Sequence, residues 1–156
     1  MGYGLAADAN DVTLTDIARL ADVFYIGGTK QGALFGEAVV ITNDNLKKDF
    51  RYSIKQNGGM LAKGRLLGIQ FMTLFEDGLY YELSKHAVSL AMKIRDAFVA
   101  KGYDFLVDSP TNQQFPILPN EVMERLASEF RFSVWKKIDE GHTAVRFCTS
   151  WATAQE

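Results

Sequence analysis

The residues predict an α/β chain, and three observations carry that reading. Two short apolar runs, Val23-Phe24-Tyr25-Ile26 and Ala38-Val39-Val40-Ile41, have the continuity of strands buried on both faces. Two longer stretches carry helical spacing instead. Leu67, Phe71, Leu74 and Phe75 form one apolar stripe, and Leu83, Ala87, Leu90, Ala91, Ile94 and Phe98 form another. The last third alternates short strand patterns with a single helix, as in a small α+β layer.

Taken in order, Gly2 to Asp11 reads as a loop. Thr13-Leu14-Thr15-Asp16 then has the spacing of a capping box, since Thr13 can accept a helix N–H and Asp16 can reach back. Leu14, Ile17, Leu20 and Ala21 supply the apolar stripe of that helix. The two apolar strands follow, joined through Gly27-Gly28-Thr29-Lys30-Gln31-Gly32 and residues 33–37. Asn43 or Asp44 caps a helix running to about Lys55, which Asn57-Gly58-Gly59 stops. A helix is expected from about Met60 to Asp77, kinked or ended at Asp77-Gly78. The next runs from about Tyr80 to Lys101, with Gly102 at its C′ position. Tyr103 to Val107 reads as a strand, Asp108-Ser109-Pro110 as a turn, and Gln113 to Leu118 as a strand that Pro116 marks as an edge or bulge. Pro119 opens a helix to about Glu129. Arg131 to Ile138 and Thr143 to Thr149 form a final pair around the Asp139-Glu140-Gly141 turn. The best boundary falls near Gly78, giving segments 1–78 and 79–156: the tail of one α/β layer, a connecting helix, then a small α+β layer.

Composition narrows the function classes. Apolar residues make up 47% of the 156 and charged residues 23%, which is globular rather than disordered or repetitive. The formal charge of −2 gives no electrostatic footprint for nucleic acid or an anionic membrane. No apolar run approaches the roughly 20 residues that span a bilayer. The start lacks the basic region of a signal peptide. A single cysteine, Cys148, excludes an internal disulfide framework, and a reducing cytoplasm is the expected location. His86 and His142 leave little material for a metal centre, and none is expected.

Gly27-Gly28-Thr29-Lys30 is the most informative stretch. Two glycines permit a sharp turn and close backbone approach, and a lone lysine follows between two apolar strands. A lysine held away from water loses part of its charge and becomes a carbonyl nucleophile, as Schiff-base lysines are. The same residues also suit a solvated lysine in a glycine-rich turn. Arg146 is the second candidate. In Val145-Arg146-Phe147 the strand alternation turns Arg146 to the opposite face from its neighbours. An arginine so placed grips a carboxylate bidentately or pairs with a surface acid. Lys63 and Arg65 follow the Gly58-Gly59 stop close to a helix start, where backbone N–H groups favour anions. Cys148 is expected to pack, and neither histidine is given a role.

The segment from Asp22 to Ala38 resembles the cofactor-lysine region of the threonine aldolase and β-eliminating lyase group, fold-type-I enzymes that use pyridoxal 5′-phosphate (PLP). The resemblance continues through Phe50-Arg51-Tyr52-Ser53-Ile54-Lys55-Gln56 and Gly58-Gly59-Met60-Leu61-Ala62-Lys63-Gly64-Arg65-Leu66-Leu67-Gly68. It returns in Val145-Arg146-Phe147-Cys148-Thr149-Ser150-Trp151-Ala152-Thr153. It implies that the chain is the C-terminal half of such an enzyme: a remnant of the large PLP-binding domain over 1–78 and the small domain over 79–156. It implies Lys30 as the imine lysine, Thr29 as a phosphate contact or turn cap, and Arg146 as the grip on the substrate's α-carboxylate. Relatives place a basic residue immediately after the Gly-Gly-Met unit to reach the cofactor phosphate, often across a subunit interface. Leu61 stands there in this chain, so Lys63 or Arg65 would substitute. The implied reaction is cleavage of a β-hydroxy amino acid to glycine and an aldehyde, with β-elimination and transamination as alternatives. The implied partners are a small amino acid, the missing N-terminal half, and further copies in a homodimer or homotetramer. Alone, the chain is expected to be inactive. A non-catalytic fragment that oligomerises and binds no cofactor is the alternative from another class.

Overall fold

The computed structural model describes residues 1–155, so Glu156, the last residue of the expected 79–156 segment, lies outside it. The N-terminal stretch holds a one-turn helix, α1 (Gly2–Leu5), where a loop is expected. Helix α2 (Leu14–Leu20) starts on the expected capping box. The Thr13 hydroxyl accepts from the Asp16 N–H at 3.2 Å, and the Asp16 carboxylate accepts from the Thr13 N–H at 2.9 Å.

Strands β1 (Val23–Gly27) and β2 (Glu37–Ile41) pair antiparallel, with Tyr25 opposite Val39 and Gly27 opposite Glu37. Burial on both faces is not what they show. Their inner face, with Phe24, Ile26, Ala38 and Val40, packs around Leu74 and Tyr80. On the outer face Val23, Tyr25 and Val39 stay 46%, 63% and 53% exposed. The segment between the strands turns straight back, so the pair forms a two-stranded ribbon, and only one side of it meets helices from this chain.

The expected helix from Asn43 to Lys55 is broken in two. A 3₁₀ turn (Asp44–Leu46) and α3 (Phe50–Gln56) are separated at Asp49, whose φ of 58° is left-handed. Helix α4 (Arg65–Phe75) begins later than expected, leaving 60–64 outside it, with a turn over 62–64. Asp77 and Gly78, with φ of 51° and 77°, bend the chain into α5 (Leu79–Val99). Gly102 takes φ of 79° after α5 and its N–H bonds the Val99 carbonyl, the expected C′ role.

The remaining strands form one antiparallel sheet centred on β6 (His142–Cys148). On one side lies β5 (Ser133–Lys137); on the other lie β3 (Gln113–Gln114) and β4 (Ile117–Pro119) in succession. Pro116 divides β3 from β4 because it has no N–H to donate, and its carbonyl still accepts from Val145. The strand expected over Tyr103–Val107 reduces to a single bridge, Phe105 to Pro116. Helix α6 (Asn120–Ala127) packs on β4 and β6. Helix α5 serves both sheets: Tyr80 enters the core under β1 and β2, and the Ala87 carbonyl accepts from the Thr149 hydroxyl just past β6 at 2.6 Å.

Candidate functional site

The turn after β1 presents Lys30. Residues Thr29–Gln31 form one 3₁₀ turn, closed by the Gln31 N–H on the Gly28 carbonyl at 2.9 Å and by the Ala33 N–H on the same carbonyl at 3.0 Å. Two glycines are needed here. A Cβ on Gly28 would stand 2.8 Å from Ala33 Cβ and 3.1 Å from Phe71, and Gly32 has φ of 96°. Gln31, between them, is buried, while Thr29 and Lys30 are exposed. The desolvation expected of a lysine between two buried strands is therefore absent, for the reason already seen in the ribbon: this chain covers it from one side only. Thr29 makes no side-chain hydrogen bond among the described residues, so the turn is closed by backbone and not by a threonine cap.

Arg146 reaches the same place from the other end of the chain. It stands on β6 opposite Ser133, with Val145 fully buried behind it. Lys30, Thr29, Arg146, Asn112, Gln113 and Cys148 line one open cavity of about 430 Å³. Lys30, Thr29 and Gln113 also line an adjoining cavity of about 400 Å³ with Tyr25 and Glu37. Neither Lys30 nor Arg146 takes part in an ion pair among the described residues. The guanidinium of Arg146 has only long neutral contacts, to Gln113 Oε1 at 3.4 Å and Ser133 Oγ at 3.5 Å. Its buried Nε has no hydrogen-bond partner among the described residues. A guanidinium with unused donors at the wall of a lysine-bearing cavity is suited to an incoming carboxylate.

Lys63 and Arg65 are exposed, and neither lines these two cavities. Cys148 is exposed on the cavity wall, not packed as expected, because it shares the Arg146 face of β6 and not the Val145 face. His86 is tied to the Thr153 carbonyl at 2.8 Å, and His142 Nδ1 lies 3.0 Å from Asp139 Oδ1, both away from the cavity.

Sequence reasoning missed Tyr3, Gln113 and Trp135. Tyr3 lines both cavities, and its hydroxyl donates to the Lys30 carbonyl. Burial pushes that hydroxyl's pKa up, as it does for Tyr80. Gln113 was legible only as part of a strand. Trp135 reaches Arg146 through a bulge that no local pattern announces.

No protein-family model matches the chain. Two curated relatives do: low specificity L-threonine aldolases from a Pseudomonas species and from Pseudomonas aeruginosa. Each is 31% identical, over 86% and 85% of this chain. A solved structure of Leishmania major threonine aldolase superposes with a TM-score of 0.93 at 44% identity, covering 98% of the chain. The chain spans 38% of each curated relative's length and 45% of the solved chain. The glycine-flanked lysine turn, the ribbon beneath it and the β6 arginine thus sit in a chain that is similar, over nearly all its length, to the C-terminal part of threonine aldolase.

Proposed function

We propose that this chain supplies the lysine-bearing and carboxylate-binding part of a PLP-dependent carbon–carbon lyase that cleaves a β-hydroxy amino acid to glycine and an aldehyde. One observation carries the reading: Lys30 and Arg146 line a single cavity, with no ion pair at either and a buried guanidinium nitrogen left unpartnered. The donor set fits the cofactor. Lys30 is an exposed primary amine able to hold an aldehyde carbon, and the Thr29 hydroxyl beside it is free to take a phosphate oxygen. Bound there, PLP would supply the electron sink that makes carbanion chemistry accessible.

The chain's own residues do the rest. Arg146 binds the α-carboxylate through its planar fork and so fixes the orientation of the substrate's Cα. Trp135 and Gln113 hold that fork in place. Lys30 Nζ is the amine in the cavity able to hold or move a proton near Cα. Lys63 and Arg65 lie off the cavity, so they would reach a cofactor phosphate only in a site shared with a second copy. The division at Gly78, into 1–78 and 79–156, is proposed as the hinge between the lysine-bearing layer and the carboxylate-binding layer. β-Elimination and transamination use the same two residues. The other class of reading, a cofactor-free oligomerising fragment, draws support from the exposed Val23–Tyr25–Val39 face. A cytoplasmic location is part of this proposal; among the described residues no helix is long and apolar enough to cross a membrane.

The test is turnover by the chain assembled with polypeptide matching the remainder of its relatives. Glycine release from a β-hydroxy amino acid should fall by orders of magnitude in Lys30→Ala, at an unchanged Tm because Lys30 is exposed. Near-normal turnover by Lys30→Ala would remove it from the reaction.

A further inference from the structure

The lysine-bearing stretch is held by two tyrosine hydroxyls. Tyr80, 1% exposed near the start of α5, donates to the Gly27 carbonyl at 3.0 Å. Tyr3, 9% exposed and packed on Ala87 and Val88, donates to the Lys30 carbonyl. Gly27 and Lys30 are the first and last residues of the Gly27-Gly28-Thr29-Lys30 stretch. The two tyrosines come from different elements, α1 and α5, which pack on each other. Gly2 shows how closely the two are seated: a Cβ there would lie 2.5 Å from Ser84 Oγ, 2.8 Å from Gln31 Nε2 and 2.9 Å from the Tyr80 ring. Backbone bonds within the turn set its shape, but they do not set where the turn sits relative to Arg146. Contacts to other elements do: Tyr3 of α1 and Tyr80 of α5 donate to its carbonyls, Gln70 of α4 accepts from the Leu34 N–H just after it at 2.6 Å, and α5 also carries the Ala87 carbonyl that anchors the end of β6.

We propose that Tyr3 and Tyr80 are positioning residues that clamp the chain at Gly27, where it leaves β1, and at Lys30, in the middle of the turn, and that this clamp fixes the approach of Lys30 to the cavity it shares with Arg146. The proposal rests on the reading of Lys30 as the amine that takes the PLP aldehyde. Burial raises the pKa of both hydroxyls, so they remain donors through the neutral range and the clamp does not open with ordinary pH changes.

The two claims separate in one experiment on the full chain. The chain is mixed with PLP, reduced with borohydride, and the adducts are mapped by mass spectrometry across all its lysines. Tm is measured on the same samples, and labelling is done well below it. Wild type should label Lys30 ahead of exposed lysines such as Lys63 and Lys137. In Tyr3→Phe, which removes one oxygen and keeps the ring, that preference should fall roughly two- to tenfold, the worth of one hydrogen bond. Tyr80→Phe should do the same, and the double variant should lose the preference altogether. A purely structural role predicts a lower Tm with the Lys30 preference intact, and that result would overturn the clamp while leaving Lys30 in its role. Absence of a Lys30 preference in wild type would overturn the reading of Lys30, and the clamp with it. If Tyr80→Phe does not fold, Tyr3→Phe alone decides.

Discussion

The guanidinium of Arg146 sits over the indole of Trp135, 5.0 Å from the ring centre, because β5 bulges at that residue. Ser133 and Val134 pair with Arg146 and Val145, Lys136 pairs with Ala144, and Trp135 is the residue left over. A bulge re-aims one side chain, and here the tryptophan is also stacked edge-on against Phe115. Arg146 is thereby held by a ring that takes none of its hydrogen-bonding capacity.

Trp135→Leu should therefore free the guanidinium without removing it. A cation–π contact at a half-exposed site contributes about 0.5–1 kcal/mol. The expected result in the assembled enzyme is a roughly two- to fivefold higher KM for the amino acid with kcat little changed. Trp135→Phe should recover part of it. Steady-state kinetics on both variants check this; a fall in kcat alone would point to a different role for the ring.

On the outer face of the β1–β2 ribbon an apolar patch is left uncovered by the helices of this chain. Val23, Tyr25 and Val39 together present more apolar area than an isolated chain keeps in water without cost. The chain alone should self-associate, and Tyr25→Lys with Val39→Lys should reduce that association while the ribbon still forms, since both side chains point outward. Light scattering across a concentration series measures it. A wild-type chain that stays monomeric throughout would remove this surface from the account.

Three surface carboxylates should each make the chain modestly less stable in acid. Asp139 lies below its ordinary value of 3.8, chiefly because the Gly141 N–H bonds it and then because of His142. Asp16 is lowered by the Thr13 hydroxyl and backbone of the capping box, and Asp44 by its bond to Lys47. A lowered carboxylate contributes stability that is present above its unfolded value and is lost as pH falls through the folded one. Tm should hold steady down to about pH 4 and then drop. Asp139→Ala should lower the neutral-pH Tm and shrink that acid drop. An acid limb identical to wild type in this variant would exclude Asp139 as a contributor.

Some of this was legible in the residues and some was not, and the division has a physical cause. The Thr13–Asp16 capping box, the C′ role of Gly102, the interruption at Pro116 and the facing of Arg146 away from Val145 depend on a few neighbours in sequence, and each is in place. The one-sided burial of β1 and β2 depends on what covers their second face, which the strands' own residues do not state. The residues around Lys30 leave a desolvated and a solvated lysine both open, because its exposure follows from that of the ribbon. Nothing local to Tyr3 marks it, because its hydroxyl meets a carbonyl 27 residues away that only tertiary packing brings near. Trp135 depends on a bulge in the pairing of β5 with β6, a property of two strands jointly.

Lys30 and Arg146 line one cavity, and kinetics of Arg146→Lys measure whether they serve one reaction. Lysine keeps the charge and loses the fork that matches a carboxylate. Because the guanidinium makes only long hydrogen bonds within the chain, and a lysine ammonium can keep a cation–π contact with Trp135, Tm should change little. A charge-assisted hydrogen bond contributes about 1.5–3 kcal/mol, so kcat/KM for the amino acid in the assembled enzyme should fall roughly ten- to a hundredfold. An unchanged kcat/KM in Arg146→Lys, repeated in Arg146→Leu, would contradict the shared site.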